Sequence, residues 1–586
     1  MVFCILYKNS KPMKFKYFYF ILFTLFSLGI LFLGCDNLGK DSSVKVTETI
    51  SDSTLNKANG LITDTLLKST IQVLADDSLM GRKPFTMGEV RTLRYLEKQC
   101  KILGLKPGNH GSYFQNVPMV QVTSVPSAPM HISGKSTEFN LDYKKDFVAS
   151  TRREQDSIHL VNSPLVFVGF GIIAPEYHWN DYAGLNVKGK TVVVLVNDPG
   201  FGGIDPHFFK GDTMTYYGRW TYKYEEAARQ GAAAVLIIHQ TKPASYAWSV
   251  VNNSFTGDKL YLQEADKHKS RCKVEGWFSE DAGNHLLAAA GLGITVDQAT
   301  QNARKRGFKA IPLGLNLSLD LDNKLLYSTS HNVIGILPGD TNPAENIIYT
   351  AHWDHLGIGP KVNGDSIYNG AIDNASGVAA ILAIAKAFES LKVPLHRNVL
   401  FLMVTGEEQG LLGSEYYANH PIFPLDKTVA DINLDALGGY GPTKDISLVG
   451  LGQSELDDYV KKEAEKGGRY VVGDPNPGAG SYFRSDHFNF AKVGVPALDL
   501  GEGTESTSKG SEWGKKMQED YNDHHYHQPS DEYSSSMDAS GMVQNTSLLF
   551  RVGYRLSGES TIPFWKPGSE FKAIREKYMP KANSKD

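Results

Sequence analysis

Between residues 333 and 500 short apolar runs recur, most of them closed by a polar or acidic residue: Val333–Leu337, Ile347–Tyr349, Val399–Val404, Val429–Leu434, Ile446–Val449 and Val495–Leu500. Runs of this length without polar alternation predict strands buried on both faces, as in a sheet covered by helices. The alanine-rich stretch Asn374–Leu391 predicts a helix between two of them, and Met542–Leu556 a closing one. Strands alternating with helices predict an α/β fold: a mixed, mostly parallel sheet flanked by helices.

Upstream the rhythm differs. Residues 61 to 105 read as helices: Thr86-Met87-Gly88-Glu89 has the form of a capping box, and Val90, Leu93, Leu96, Cys100 and Leu103 keep helical spacing until Gly104. From about Asp142 to Leu325 the texture turns β-rich, with apolar runs at Leu165–Val168, Thr191–Val196 and Ala233–Ile238 and a helix at Tyr222–Gln230. His178, Asp181, Asp198 and His239 are scattered through this region and read as turn or surface residues.

A chain of 586 residues exceeds one ordinary core, so two folded units plus tails are expected. A net charge of −4 offers no broad basic surface, and nucleic acid is not an expected partner. Lys8, Lys11, Lys14 and Lys16 precede an apolar run from Tyr17 to Gly34, then Cys35 and a polar stretch to Gly60. That order predicts an export signal over 1–34 and a tether over 35–60. Leu31-Phe32-Leu33-Gly34-Cys35 looks like a loose bacterial lipobox, whose Cys35 would be lipidated and hold the protein on the periplasmic or cell-surface face of a membrane. The rival is an uncleaved membrane helix. Cys100 and Cys272 read as two buried free thiols, and residues 558–586 as a tail.

The chemistry lies at the ends of the apolar runs. His352 follows Ile347–Ala351, and Asp354, two residues on, can share its face and hold the other imidazole nitrogen. Asp373 precedes the alanine-rich helix, between Gly370 and Gly377, where a carboxylate can bridge two cations. Glu407-Glu408 closes the run Val399–Val404; consecutive side chains point apart, so one can ligate metal while the other faces water. Asp435 closes Val429–Leu434, with Asp431 inside that strand as a structural competitor. His527 shares a turn-rich loop with His524 and His525, and spacing does not choose among the three. Asp373, Glu408 and Asp435 with a hydroxide balance two divalent ions, whereas alone the carboxylates repel.

In order and context these residues resemble the M28 family of zinc peptidases, through "AHWDHLG", "YNGAIDNASG", "TGEEQGLLGSEYY", "INLDALG", "FRSDHFNFAKVGVPAL" and "YHQPSDEY". "LADDSLMGRKPFTMGE", with Gly81-Arg82, is similar to the family's N-terminal segment. The resemblance implies two zinc ions: His352 and Asp435 on one, Glu408 and His527 on the other, Asp373 bridging. It implies Glu407 as general base, Asp354 as the residue orienting His352, and a cis Asp373–Asn374 bond. Ser485-Asp486-His487 would support the site. Segments "FVGFGIIAPEYHWNDYAGLNVKGKTVVVLVNDPG" and "YEEAARQGAAAVLII" resemble a protease-associated (PA) domain, inserted at 141–325 into a catalytic domain made of 61–140 and 326–557. The implied activity is exopeptidase action on peptides, with removal of N-terminal residues favoured. A carboxypeptidase or dipeptidase of the same family is the alternative, as is a non-catalytic ectodomain of the transferrin-receptor type. Glutaminyl cyclases of this fold lack the first histidine, which His352 supplies here. For an aminopeptidase Glu407, Asp435 and Glu502 would attract the substrate ammonium. Arg484, the cation a carboxypeptidase would need, is expected to pair with Asp486 or another acid.

Overall fold

A computed structural model describes residues 52–203 and 205–578. The export signal, Cys35 and most of the tether lie outside the described residues.

The sheet of the C-terminal half is built on three consecutive parallel pairings. Asn346–His352 lies between Asn398–Val404 and Thr428–Asn433, and the last pairs with Ala497–Gly501. Antiparallel strands flank this group: Val333–Leu337 beside Asn398–Val404, and Asp445–Val449 beside Ala497–Gly501. The sheet is therefore mixed and mostly parallel. Pleating sorts each apolar run between two layers. Val399, Phe401 and Met403 enter the core under helices Asp64–Leu74, Gly377–Ser390 and Ser540–Gly558, while Leu400, Leu402 and Val404 enter the opposite core with Ile348, Tyr417 and Phe490. Each such aliphatic side chain contributes about 1.5–3 kcal/mol by leaving water. The segment Ala371–Ser390 is long and apolar enough to cross a membrane, yet almost all of it is buried in protein, as the central core helix.

One 27-residue strand, Ile311–Leu337, joins this sheet to the rest. Its end pairs with Asn398–Val404, and upstream it pairs with Phe114–Pro126, Met130–Gly134 and Ser157–Phe167. Beyond Ser157–Phe167 follow the parallel strands Thr191–Leu195, Ala234–Ile238 and Val274–Phe278, every residue of the last three buried. Their alternate residues feed two further cores, Val193 and Leu195 on one face, Val192 and Val194 on the other. Met130 and Ile132 also belong here, upstream of position 141.

Several expectations are corrected. Thr86 does cap its helix, but its hydroxyl accepts from Gly88 N–H, and Glu89 accepts from Phe85 N–H and Ser330 rather than closing a box on Thr86. Asp181, Asp198 and His239 are buried, not surface residues. Trp565, Phe571 and Arg575 are buried, so much of the expected tail is packed structure, ending in helix Lys572–Tyr578. Cys100 and Cys272 are free and buried.

Candidate metal centre

His352 is the last residue of its strand, Glu407-Glu408 and Asp435 follow two neighbouring strands, and Asp373 precedes the core helix. Parallel alignment brings all four segments to one edge, the carboxyl ends of the strands, where such sheets place ligands. The loop after helix Ser511–His524 brings His527 to the same place, at a positive φ of 58°.

Asp373 stands at the centre. Its Oδ1 is 3.2 Å from His352 Nε2, and its Oδ2 is 3.2 Å from His527 Nε2. His352 Nε2 is 3.1 Å from Asp435 Oδ1, and His527 Nε2 is 3.1 Å from Glu408 Oε2. The five side chains thus fall into two sets that share Asp373. Ligand atoms about 2.0–2.1 Å from a tetrahedral zinc lie about 3.3 Å from one another, so the N/O donors and their spacing fit a zinc pair. Glu407 lies beside the His352 set, its Oε2 3.8 Å from His352 Nε2, close enough to group with His352 and Asp435.

The field of the cluster calls for positive charge. Burial raises Glu407 well above the ordinary carboxylate range, and Asp435 and Glu408 add to this against the pull of His352. Burial opposes the charge on His352 and His527, yet the carboxylates win, placing His352 well above its usual value and His527 at about 10. Against burial, bonds from His352 and His527 hold Asp373 well below the carboxylate range.

A supporting layer fixes these groups. Asp531 accepts from the backbone N–H groups of Ile372 and Asp373 at 3.0 and 3.1 Å. His355 Nδ1 contacts Glu408 Oε1 at 2.5 Å, and Ser485 donates to Asp435 Oδ2 at 2.6 Å. Arg82, fully buried, donates to the carbonyls of Leu74, Trp353, Asn369 and Gly370, tying the segments of His352 and Asp373 together. Its neighbour Gly81 (φ 64°) sits where a Cβ would fall 2.4 Å from the Tyr368 carbonyl. The Asp373–Asn374 bond is cis.

The role expected of Asp354 changes. The Asp354 backbone carbonyl, not its carboxylate, meets His352 Nδ1 at 3.1 Å; the carboxylate lies 4.0 Å from that nitrogen and accepts from Glu407 N–H at 3.1 Å. It braces the Glu407 turn. Arg484 does not pair with Asp486: it donates to the Ala479 carbonyl at 2.9 Å, while Asp486 accepts from Ser414. Glu502 accepts from Asn545 at 2.5 Å and borders a different cavity, so the expected contribution to an ammonium field rests on Glu407 and Asp435. His524 and His525 turn away, toward Asp520. Asp431 is held inside its strand by Thr350. Asp531 is not singled out by the sequence, and His355 enters it only as a rival to His352, without a carboxylate two residues beyond it; their place inside "YHQPSDEY" and "AHWDHLG" is the signal for both.

Residues 332–551 match Peptidase family M28. Leupeptin-inactivating enzyme 1 of Streptomyces exfoliatus is 26% identical over 358 residues, 60% of this chain and 73% of that one. Aminopeptidase YwaD of Bacillus subtilis (strain 168) is 30% identical over 190 residues, 32% of this chain and 38% of that one. Among solved structures, an aminopeptidase from Aneurinibacillus sp. strain AM-1 aligns with a TM-score of 0.46 at 19% identity, covering 88% of this chain and 97% of that one.

Proposed function

We propose, from the match of residues 332–551 to Peptidase family M28, that the chain is a zinc aminopeptidase, releasing residues from the free N-terminus of peptides. The observation that carries the reading is the pair of histidines sharing Asp373, with Glu407 beside them and farther from His352 Nε2 than Asp373 or Asp435. His352, Asp435 and Asp373 would hold one zinc, Glu408, His527 and Asp373 the other. Two zinc ions supply Lewis-acid polarisation of the scissile carbonyl and a more acidic water. Glu407, which borders the cleft beside Glu408 and His527, takes the proton of the attacking water and passes it to the leaving amine. Glu407 and Asp435 attract the substrate ammonium. Asp531 and His355 hold Asp373 and Glu408 in place.

The test measures zinc content and hydrolysis of a free-amine peptide beside its N-acetylated copy. Two zincs with cleavage of the free amine alone support the reading; cleavage that survives acetylation sinks it. A carboxypeptidase is the second reading, favoured by Arg484 having no acidic partner in the cleft.

The β-rich region around 141–325 serves as an inserted PA domain, as its sequence resemblance suggests. Export and lipidation at Cys35 complete the proposal, on the strength of the basic head and the apolar run before Gly34-Cys35. Cys35→Ala should move the protein out of the membrane fraction; unchanged fractionation with the apolar segment intact would favour a membrane helix instead.

A further inference from the structure

Glu407, Glu408 and His527 border a cavity of about 410 Å³ whose walls come from both halves of the chain. Arg219, Trp220, Phe255 and Tyr261 face it from the β-rich half, Phe483 and Arg484 from the catalytic half. Outside the metal centre its walls carry five cations, Arg152, Arg219, Lys259, Arg484 and Lys492, against three carboxylates, Glu225, Glu275 and Glu415. Two of these carboxylates are engaged: Glu275 with Arg152 at 3.1 Å and Glu225 with Lys492 at 2.7 Å. Glu415 makes no ion pair among the described residues. Arg484 donates to the Ala479 carbonyl, and Arg219 lies over the Trp220 ring at 5.6 Å. Neither guanidinium reaches a carboxylate among the described residues. Burial first, and then the nearby charge of Arg484, push Arg219 down to about 10.

Arg219 is half-buried and Arg484 exposed at the cavity wall; the like charge that Arg484 sets against the withdrawn Arg219 is relieved by an anion between them. The substrate ammonium is repelled by such a wall, so the wall must face the other fragment, the one that leaves with the new amine. We propose that Arg219 and Arg484 form a receptor for a carboxylate on the leaving fragment. A guanidinium takes a carboxylate through two parallel N–H bonds, and two of them leave little room for a neutral group in its place. The carboxylate is either the free C-terminus of a short peptide or an acidic side chain just beyond the scissile bond. The inference rests on the aminopeptidase reading and narrows its substrate class.

The test uses the zinc-loaded protein and three substrates with the same N-terminal leucine: a tripeptide acid, its C-terminal amide, and an amide with glutamate in second place. The acid should exceed its amide in kcat/KM by about 10- to 100-fold, mostly through KM, the range for a hydrogen-bonded charge. Arg219→Met and Arg484→Met should each pull that ratio toward one at unchanged zinc content. Recovery of the rate by the glutamate amide identifies the side chain as the source; no recovery identifies the C-terminus. Equal rates on all three substrates, or a ratio untouched by both substitutions, overturn the receptor while leaving the aminopeptidase standing. Cleavage of the N-acetylated acid at the rate of the free amine sinks the aminopeptidase reading instead.

Discussion

Both halves of the molecule bury charge, and they treat it differently. In the β-rich half Lys223 is fully buried and donates to the Asn197 carbonyl at 2.7 Å. Nearby Asp198 accepts from Gly200 N–H, Thr215 N–H and the Thr215 hydroxyl, and Asp181 from Ile172 N–H and Trp179. One cation and two carboxylates are satisfied from within, and they lock turns. In the catalytic half Asp373, Glu407, Glu408 and Asp435 crowd around two imidazoles, and the fully buried Arg82 beside them is spent on backbone carbonyls. That set balances only with further positive charge. Buried charge is therefore a site where its own neighbourhood leaves the account open.

The hardest break of this comparison is Glu407→Ala. Turnover should fall by at least 10²- to 10⁴-fold while two zincs remain, because Glu407 serves proton transfer and not ligation. Loss of one zinc equivalent from that variant would mean that Glu407 and Glu408 exchange roles. Next comes the ligand set: His527→Ala should drop zinc toward one per chain, whereas His524→Ala, His525→Ala and, in the other half, Asp198→Asn should keep two. Zinc lost from Asp198→Asn would erase the distinction between the halves. Asp531→Asn sharpens it, since the amide offers Ile372 and Asp373 only one acceptor oxygen in place of two. About 10- to 100-fold weaker zinc retention is expected in a chelator competition, the usual cost of a lost supporting partner; unchanged retention would remove Asp531 from the site.

The smallest effect is on pH. Burial holds His487 down to about 3, from an ordinary 6.5. Between those values the unfolded chain binds a proton that the fold refuses, so stability rises with pH across the window and is lost as pH falls. Asp499, 3.6 Å away and raised by burial to about 7, acts with the opposite sign, so the readout is the difference between variant and wild type. His487→Gln should flatten the acid limb in urea unfolding at pH 4 to 7; parallel curves would assign that limb elsewhere.

Runs such as Val399–Val404 were legible because a strand buried on both faces needs an unbroken apolar stretch. Helix Ser511–His524 was not: only Gly514 is buried in it, so no apolar stripe betrays it. His527 was singled out by resemblance alone, since three histidines within four residues share one local pattern.

What the chain determined by itself is the order of strands and helices and the ligand types waiting at strand ends, because both follow from local periodicity and from where acidic residues interrupt it. Only the tertiary structure decided which carboxylate faces which imidazole: that Asp373 lies between His352 and His527, that the Asp354 carboxylate accepts from Glu407 N–H, and that Arg484 donates to the Ala479 carbonyl rather than pairing with Asp486. Those choices depend on contacts between residues far apart in the chain, Asp373 and His527 among them, where side-chain direction is set by packing and by the need to satisfy buried donors and acceptors.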